Sequence, residues 1–336
     1  AILERLGAAG MTGHFGSALK TGAAAQPQTG CQDGQTSQTD QIDQIGQTSH
    51  TGQTTHTDHT GQAGQTAELD QTGARQSEPA HARGKTVVIG SQGRMGAMLI
   101  QRAQAAGLDI AGADVPLTPE KLAHACAGAA LAIICVPAAV FDEVTAAVCP
   151  HLPPTAVLAD ITSVKEQPLR QMERLWDGPV VGTHPLFGPN PEADAELPVA
   201  ITPGHHAGPE HLALVEGFFA DLGCRTFQTS AEKHDKAMAR IQNMNFITSL
   251  AYFALLAGQD DLLPFLTPSF RRRQHAARKM LTEDARLFSG LFEANAHSHE
   301  AVRQYRQMLN LAAAGDIDLL CERAGWWWQE EDGKEA

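Results

Sequence analysis

The sequence predicts an α/β protein, a doubly wound and mostly parallel sheet, followed by an all-helical C-terminal region. Three observations predict it. Between residues 85 and 183, β-branched apolar runs alternate with helical spacings, the pattern of a parallel sheet with crossover helices. A glycine-rich turn joins the first run to the first helix. From about residue 231 the apolar residues recur only at three- and four-residue steps, the period of an amphipathic helix.

Everything before residue 85 reads differently. Residues 26–84 contain no Val, Met, Phe, Trp or Tyr, and only Ile42, Ile45 and Leu69 as branched aliphatics. Gln, Thr, Gly, His and Asp make up most of this tract, with short recurring units such as Thr51–Thr54. Such a segment buries too little apolar surface to offset the entropy of ordering, so 1–84 is expected to be a largely disordered tail. A loose metal site at His50, His56 and His59 competes with a plainly solvated tail, and no metal is expected. The chain starts at Ala1, and Met11 is a candidate natural start.

The first strand is Lys85–Ile89. It runs into Gly90-Ser91-Gln92-Gly93-Arg94-Met95-Gly96 and then into a helix with apolar spacing over 97–103. A second strand, 108–114, ends on Asp114. A short helix over 120–126 leads to 131–137, which is apolar throughout, as expected of a central strand. Val157–Asp160 and Val180–Thr183 read as two more strands. Past residue 231, Met238, Ile241, Met244 and Leu255 share one face of a single long helix, and Thr267-Pro268 offers an N-cap with Pro at the first helical position. The division is therefore 85–230 for a dinucleotide-type α/β domain and 231–330 for a helical domain, of a kind that often completes a substrate cleft or a dimer.

The glycine turn carries the first chemistry. A strand–glycine turn–helix unit holds a dinucleotide pyrophosphate on helix N-terminal N–H groups. Gly93 and Gly96 fit the G-x-G-x-x-G pattern, with Ser91 in the first glycine slot and Gly90 just before it. Asp114 would accept from a ribose 2′-hydroxyl and repel a 2′-phosphate, which favours NAD over NADP. A turn needing glycine only for packing is the competing reading. Ser163, in the run Asp160–Lys165 after a strand, is either a site residue at the ligand edge of the sheet or a helix cap. His184, in Gly182–Pro189, would lie at the same edge, where its near-neutral pKa suits a general base.

Together these residues resemble prephenate dehydrogenase, most closely the dehydrogenase half of bifunctional chorismate mutase–prephenate dehydrogenases. The motifs that carry the resemblance are 93–96, 135–137, 160–165, 182–189, 230–235 and Ile241-Gln242. In that family a hydride passes from the ring carbon bearing the 4-hydroxyl of prephenate to NAD. The ring carboxylate leaves as CO2, giving 4-hydroxyphenylpyruvate on the way to tyrosine. The resemblance implies that His184 accepts the hydroxyl proton and that Ser163 orients His184. It adds Val136 and Pro137 to the cofactor contacts Gly90, Ser91, Gly93, Arg94, Met95, Gly96 and Asp114. It assigns the ring carboxylate to a cation among Lys279, Arg278 and Arg271, for which a solvated basic helix face is the competing reading. It also implies a homodimer.

Two departures stand out. Lys279 takes a position where the family uses arginine, and Phe246 takes a position where it commonly has a substrate-contacting histidine. The alternatives are an arogenate dehydrogenase or a catalytically silent dinucleotide sensor. No mutase activity is expected, because residues 1–84 offer no three-helix segment.

Composition narrows the partners. A net charge of −13 argues against a sequence-independent nucleic-acid binder. No apolar run approaches the roughly 20 residues needed to span a bilayer, and no secretory signal is evident. The six cysteines are scattered without metal-site or C-x-x-C spacing. A cytoplasmic protein with buried thiols and a small-molecule substrate is expected.

Overall fold

The computed structural model describes residues 84–328; the expectations made for the tail, including Cys31 and the three histidines, lie outside them. The sheet has seven strands: β1 (Lys85–Ile89), β2 (Ile110–Ala113), β3 (Ala129–Ile134), β4 (Val157–Asp160), β5 (Val180–Pro185), β6 (Pro198–Pro203) and β7 (Arg225–Gln228). Their order is β2-β1-β3-β4-β5-β6-β7. All neighbours are parallel except β5 and β6. The C-terminal ends of β1, β2, β3, β4 and β5 therefore share one edge, where open α/β sheets take their ligands.

Two strands exceed the sequence reading. Sequence patterning gave five, and β6 and β7 are additional. The prolines at both ends of β6 mask its Val199-Ala200-Ile201 centre. Only one residue of β7, Thr226, is even half-buried, so that edge strand lacks an apolar run. β3 also stops at Ile134 rather than continuing to Pro137. β5 extends to Pro185, so His184 is a strand residue paired with Ala200, not a loop residue after the strand.

Five helices cover the sheet: α1 (Arg94–Ala105), α2 (Pro119–Cys126), α3 (Phe141–Val148), α4 (Glu166–Leu175) and α5 (Pro209–Asp221). Strand alternation splits the apolar residues between two cores. Val87, Ile89 and Leu158 face Phe141, Val144 and Met172. Val88, Ile133 and Val181 face Leu99, Phe218 and Phe219. Both sets are buried, as a sheet covered on both faces requires.

The remaining helices are α6 (Ala231–Met238), α7 (Met244–Leu255), α8 (Pro268–Thr282), α9 (Ala285–Ala294), α10 (Ser298–Ala314) and α11 (Ile317–Gly325). Ser230 caps α6 and Thr267 caps α8 through their hydroxyls. The single helix expected over 231–255 is interrupted: Ala239–Asn243 form one π-helical turn between α6 and α7. Such π-turns are frequent at functional sites. No helix among the described residues is long and apolar enough to cross a membrane. Cys126 and Cys149 are buried free thiols, but Cys321 is exposed, contrary to the expectation of buried thiols throughout.

Candidate active site

The glycine turn is shaped by close backbone approach. Gly90 has φ +90°, and a Cβ there would lie 2.2 Å from the Cys135 carbonyl oxygen. At Gly96 a Cβ would lie 2.1 Å from the Gly90 carbonyl oxygen, so helix α1 and strand β1 can meet only without side chains. Gly93 is different: its added Cβ would meet nothing nearer than the Gly90 oxygen at 3.3 Å. It is the N-cap of α1, with no side chain bonded to the first-turn N–H groups. That leaves a cradle suited to a phosphate. Asp114 follows β2 directly, and its Oδ2 accepts from the Gln92 N–H at 2.7 Å. The acid and the turn thus form one unit. Burial, with the Asp114 charge beside it, pushes the Cys135 thiol up to about 12.

His184 lies one strand beyond β4 and is 3% exposed. Burial, then the neighbouring His234 and Lys165, hold its pKa well below the usual 6.5, so it is neutral at neutral pH. Its ring partner is His234: Nδ1 of His184 and Nε2 of His234 are 2.9 Å apart, with the rings edge to face. His234 Nδ1 is 2.8 Å from Asp235 Oδ1. Asp235 also accepts the backbone N–H groups of Lys165 at 2.7 Å and of Glu166 at 2.9 Å. Burial pushes the Asp235 carboxyl up, but the His234 and backbone hydrogen bonds outweigh it and hold it below its usual 3.8.

Ser163 lies half-buried in the loop after β4 and is not hydrogen-bonded to His184. His184 Nδ1 instead meets His234, which the sequence offers only as part of the 230–235 motif. Nothing in the sequence links residues 50 positions apart; the adjacent His234-Asp235 pair behind the Ser230 cap was the available signal. Lys165 was missed as well. Its Nζ is 2.5 Å from Asp160 Oδ2 and 2.6 Å from the Thr183 carbonyl oxygen, so it clamps the residue before His184.

The three expected substrate cations all lie on α8 but not together. Lys279 lines a cavity of about 470 Å³ with Arg273, Asp284, Phe288, Asn245 and Ser249. Arg271 and Arg278 line a different cavity of about 610 Å³ with Phe253 and His275. Only the Lys279 cavity is tied to the glycine turn, because Asp284 also binds Arg94 at 2.8 Å. Phe246 is buried and stacks on Phe288, with ring centroids 5.6 Å apart, so it backs that cavity from within the helical core.

Val136 and Pro137 follow β3, with Val136 packed against the first core and near enough to Gly90 that a Cβ there would lie 3.0 Å from Val136 Cγ1.

Comparison with known proteins agrees with this fold. Residues 102–228 match the family described as "Prephenate dehydrogenase, nucleotide-binding domain". The T-protein of Enterobacter agglomerans is 28% identical over 232 residues, 68% of this chain and 61% of its own. The chain thus spans about three fifths of the length of that relative. Among solved structures, Synechocystis arogenate dehydrogenase superposes with a TM-score of 0.61 at 21% identity, over 75% of this chain and 98% of its own. Prephenate dehydrogenase from A. aeolicus, in complex with hydroxyphenyl propionate and NAD+, gives 0.61 at 18% identity, over 75% and 96%. These two share the fold described above.

Proposed function

We propose that this chain oxidises prephenate with NAD+, a reading supported by the match of residues 102–228 to the nucleotide-binding domain of the prephenate dehydrogenase family. The products are 4-hydroxyphenylpyruvate, CO2 and NADH, a step of tyrosine biosynthesis in the cytoplasm. The observation that carries the reading is His184: a buried, neutral imidazole at the end of β5, on the sheet edge that also holds the glycine turn. A neutral imidazole there accepts the 4-hydroxyl proton as the ring carbon loses its hydride. General-base help of this kind is worth about 10²–10⁴-fold.

The glycine turn fits a dinucleotide by the absence of a side chain at Gly93 and the uncapped first turn of α1. Gly90, Ser91, Gly93, Arg94, Met95 and Gly96 would hold the pyrophosphate, Asp114 the ribose hydroxyls, and Val136 and Pro137 the face beside β3. When bound, NAD+ supplies the hydride acceptor. Ser163, without an internal hydrogen bond among the described residues, is assigned to the substrate side of the same edge. Lys279 is assigned to the ring carboxylate ahead of Arg278 and Arg271, because its cavity alone shares Asp284 with Arg94.

Residues 85–230 would bind the nucleotide, and 231–330 would bind substrate and a second copy of the chain. Support for the homodimer is the exposed apolar surface of the helices, including Leu255 at 71%, Phe265 at 78% and Trp327 at 72%. The test is NADH formation by the purified chain with prephenate and with arogenate, each repeated with NADP+. Turnover of prephenate with NAD+ supports the proposal. Turnover of arogenate alone replaces the substrate, with Phe246 as the first residue to exchange for His. NAD+ binding without turnover of either supports a sensor instead.

A further inference from the structure

His184, His234 and Asp235 form a continuous buried chain. Each is at most 3% exposed, and the two links measure 2.9 and 2.8 Å. The direction of the hydrogens along it follows from its far end. Asp235 Oδ1 and Oδ2 each receive a backbone N–H, from Lys165 and Glu166. These backbone donors favour the charged form and help hold the carboxyl below its usual 3.8 despite burial, so it is ionised and accepts from His234 Nδ1–H. A neutral His234 then has a bare Nε2, which accepts from His184 Nδ1–H. The one nitrogen of His184 left with a lone pair is Nε2.

We propose that His234 and Asp235 are positioning residues that lock His184 in the tautomer with a bare Nε2. The inference rests on the reading of His184 as the base of prephenate oxidation. Proton balance is simple: the substrate hydroxyl proton arrives at Nε2, and His184 becomes an imidazolium whose Nδ1–H still points at His234. The charge faces the Asp235 carboxylate through one intervening ring. The lock also spans the fold. His184 belongs to the sheet, whereas His234 and Asp235 belong to α6, and Asp235 is bonded back to the start of α4. Asn295 Nδ2 donates to the Asp235 carbonyl at 2.8 Å, so α9 and α10 brace the same residue. The other charged groups around the chain are the Lys165–Asp160 pair beside Thr183 and the Glu166–His297 pair at 2.9 Å.

The test uses the full chain labelled with 15N-histidine, the His184 signals being assigned by their loss in His184→Asn. Nitrogen shifts and long-range couplings report which ring nitrogen carries hydrogen, with or without turnover. The expected result at neutral pH is a protonated Nδ1 and a bare Nε2. His234→Gln places an amide oxygen near the former Nε2, keeps the tautomer and keeps kcat within about tenfold. His234→Ala and Asp235→Asn lose it, and kcat falls roughly 10²–10⁴-fold with the cofactor KM little changed; in serine proteases the equivalent tautomer error costs about 10⁴.

A wild-type His184 with hydrogen on Nε2 overturns the lock whatever the variants do. So does a His234→Ala chain with wild-type kcat and an unchanged pH profile. If the tautomer is as expected but wild type does not oxidise prephenate, the lock stands and the proposed reaction falls. If prephenate is oxidised with Nε2 protonated, the reaction stands and the lock falls.

Discussion

Lys165 and Asp160 form an ion pair in which neither side chain has any solvent exposure, with Nζ 2.5 Å from Oδ2. The pair joins the end of β4 to the start of α4, and Lys165 also holds the Thr183 carbonyl beside the proposed base. Breaking such a pair strands a buried charge, which typically costs about 3–5 kcal/mol. Lys165→Met should therefore lower stability to urea by about that amount. A double variant, Lys165→Met with Asp160→Leu, should recover part of the loss. An unchanged midpoint in the single variant would mean that the pair is not buried as described.

His184 also makes stability depend on pH. Its folded pKa lies below its unfolded value near 6.5. Between those two values the unfolded chain binds the proton and the folded chain does not, so stability rises with pH. As pH falls below 6.5, His184 should remove up to about 1.4 kcal/mol per pH unit. Above 6.5 it contributes no slope. Asp235, held below 3.8, contributes stability that is lost only at much lower pH. Thermal melts from pH 7.5 to 5.5 should slope less steeply for His184→Asn than for wild type; parallel slopes would show that His184 titrates normally.

Cofactor choice should follow Asp114. Its carboxylate lies at the end of β2 and fixes the Gln92 N–H. Charged hydrogen bonds to a ribose are worth about 1.5–3 kcal/mol, or roughly 10–100-fold. Asp114→Ser should weaken NAD+ by that factor and narrow its margin over NADP+. Unaltered discrimination in titrations with both nucleotides would remove Asp114 from the ribose site.

Lys279 and Arg278 are neighbours in sequence yet line different cavities. Lys279 is exposed, so Lys279→Ala should raise the prephenate KM only several-fold, an exposed ion pair being worth about 0.2–1 kcal/mol. Arg278→Ala should change it little. The reverse pattern in steady-state kinetics would move the carboxylate site to the other face of α8.

The parallel part of the sheet was legible because its central strands are unbroken apolar runs. Leu131–Ile134 can be nothing but interior. β6 and β7 were not, because prolines bracket one and the other is an exposed edge. The π-turn at Ala239–Asn243 shifts the buried face, so that Ile241 is exposed while Asn243, Phe246 and Ser249 are buried; the apolar spacing of the sequence runs on through the turn and gives no sign of it. At the site, His184, Asp114 and the glycine turn stood out as residue types suited to their chemistry at the ends of strands. The partners of His184 did not, since a contact between residues 184 and 234 is made by packing α6 against the sheet. The expectation that Ser163 orients the base came from the family resemblance; in the structure the buried His234 meets Nδ1.

The most direct test of the account compares wild type and His184→Asn in steady-state NADH formation from prephenate and NAD+. The account predicts turnover by wild type, a fall in kcat of roughly 10²–10⁴-fold in the variant, and little change in NAD+ affinity. A variant as fast as wild type, or a wild-type chain that binds NAD+ and leaves prephenate untouched, would contradict it.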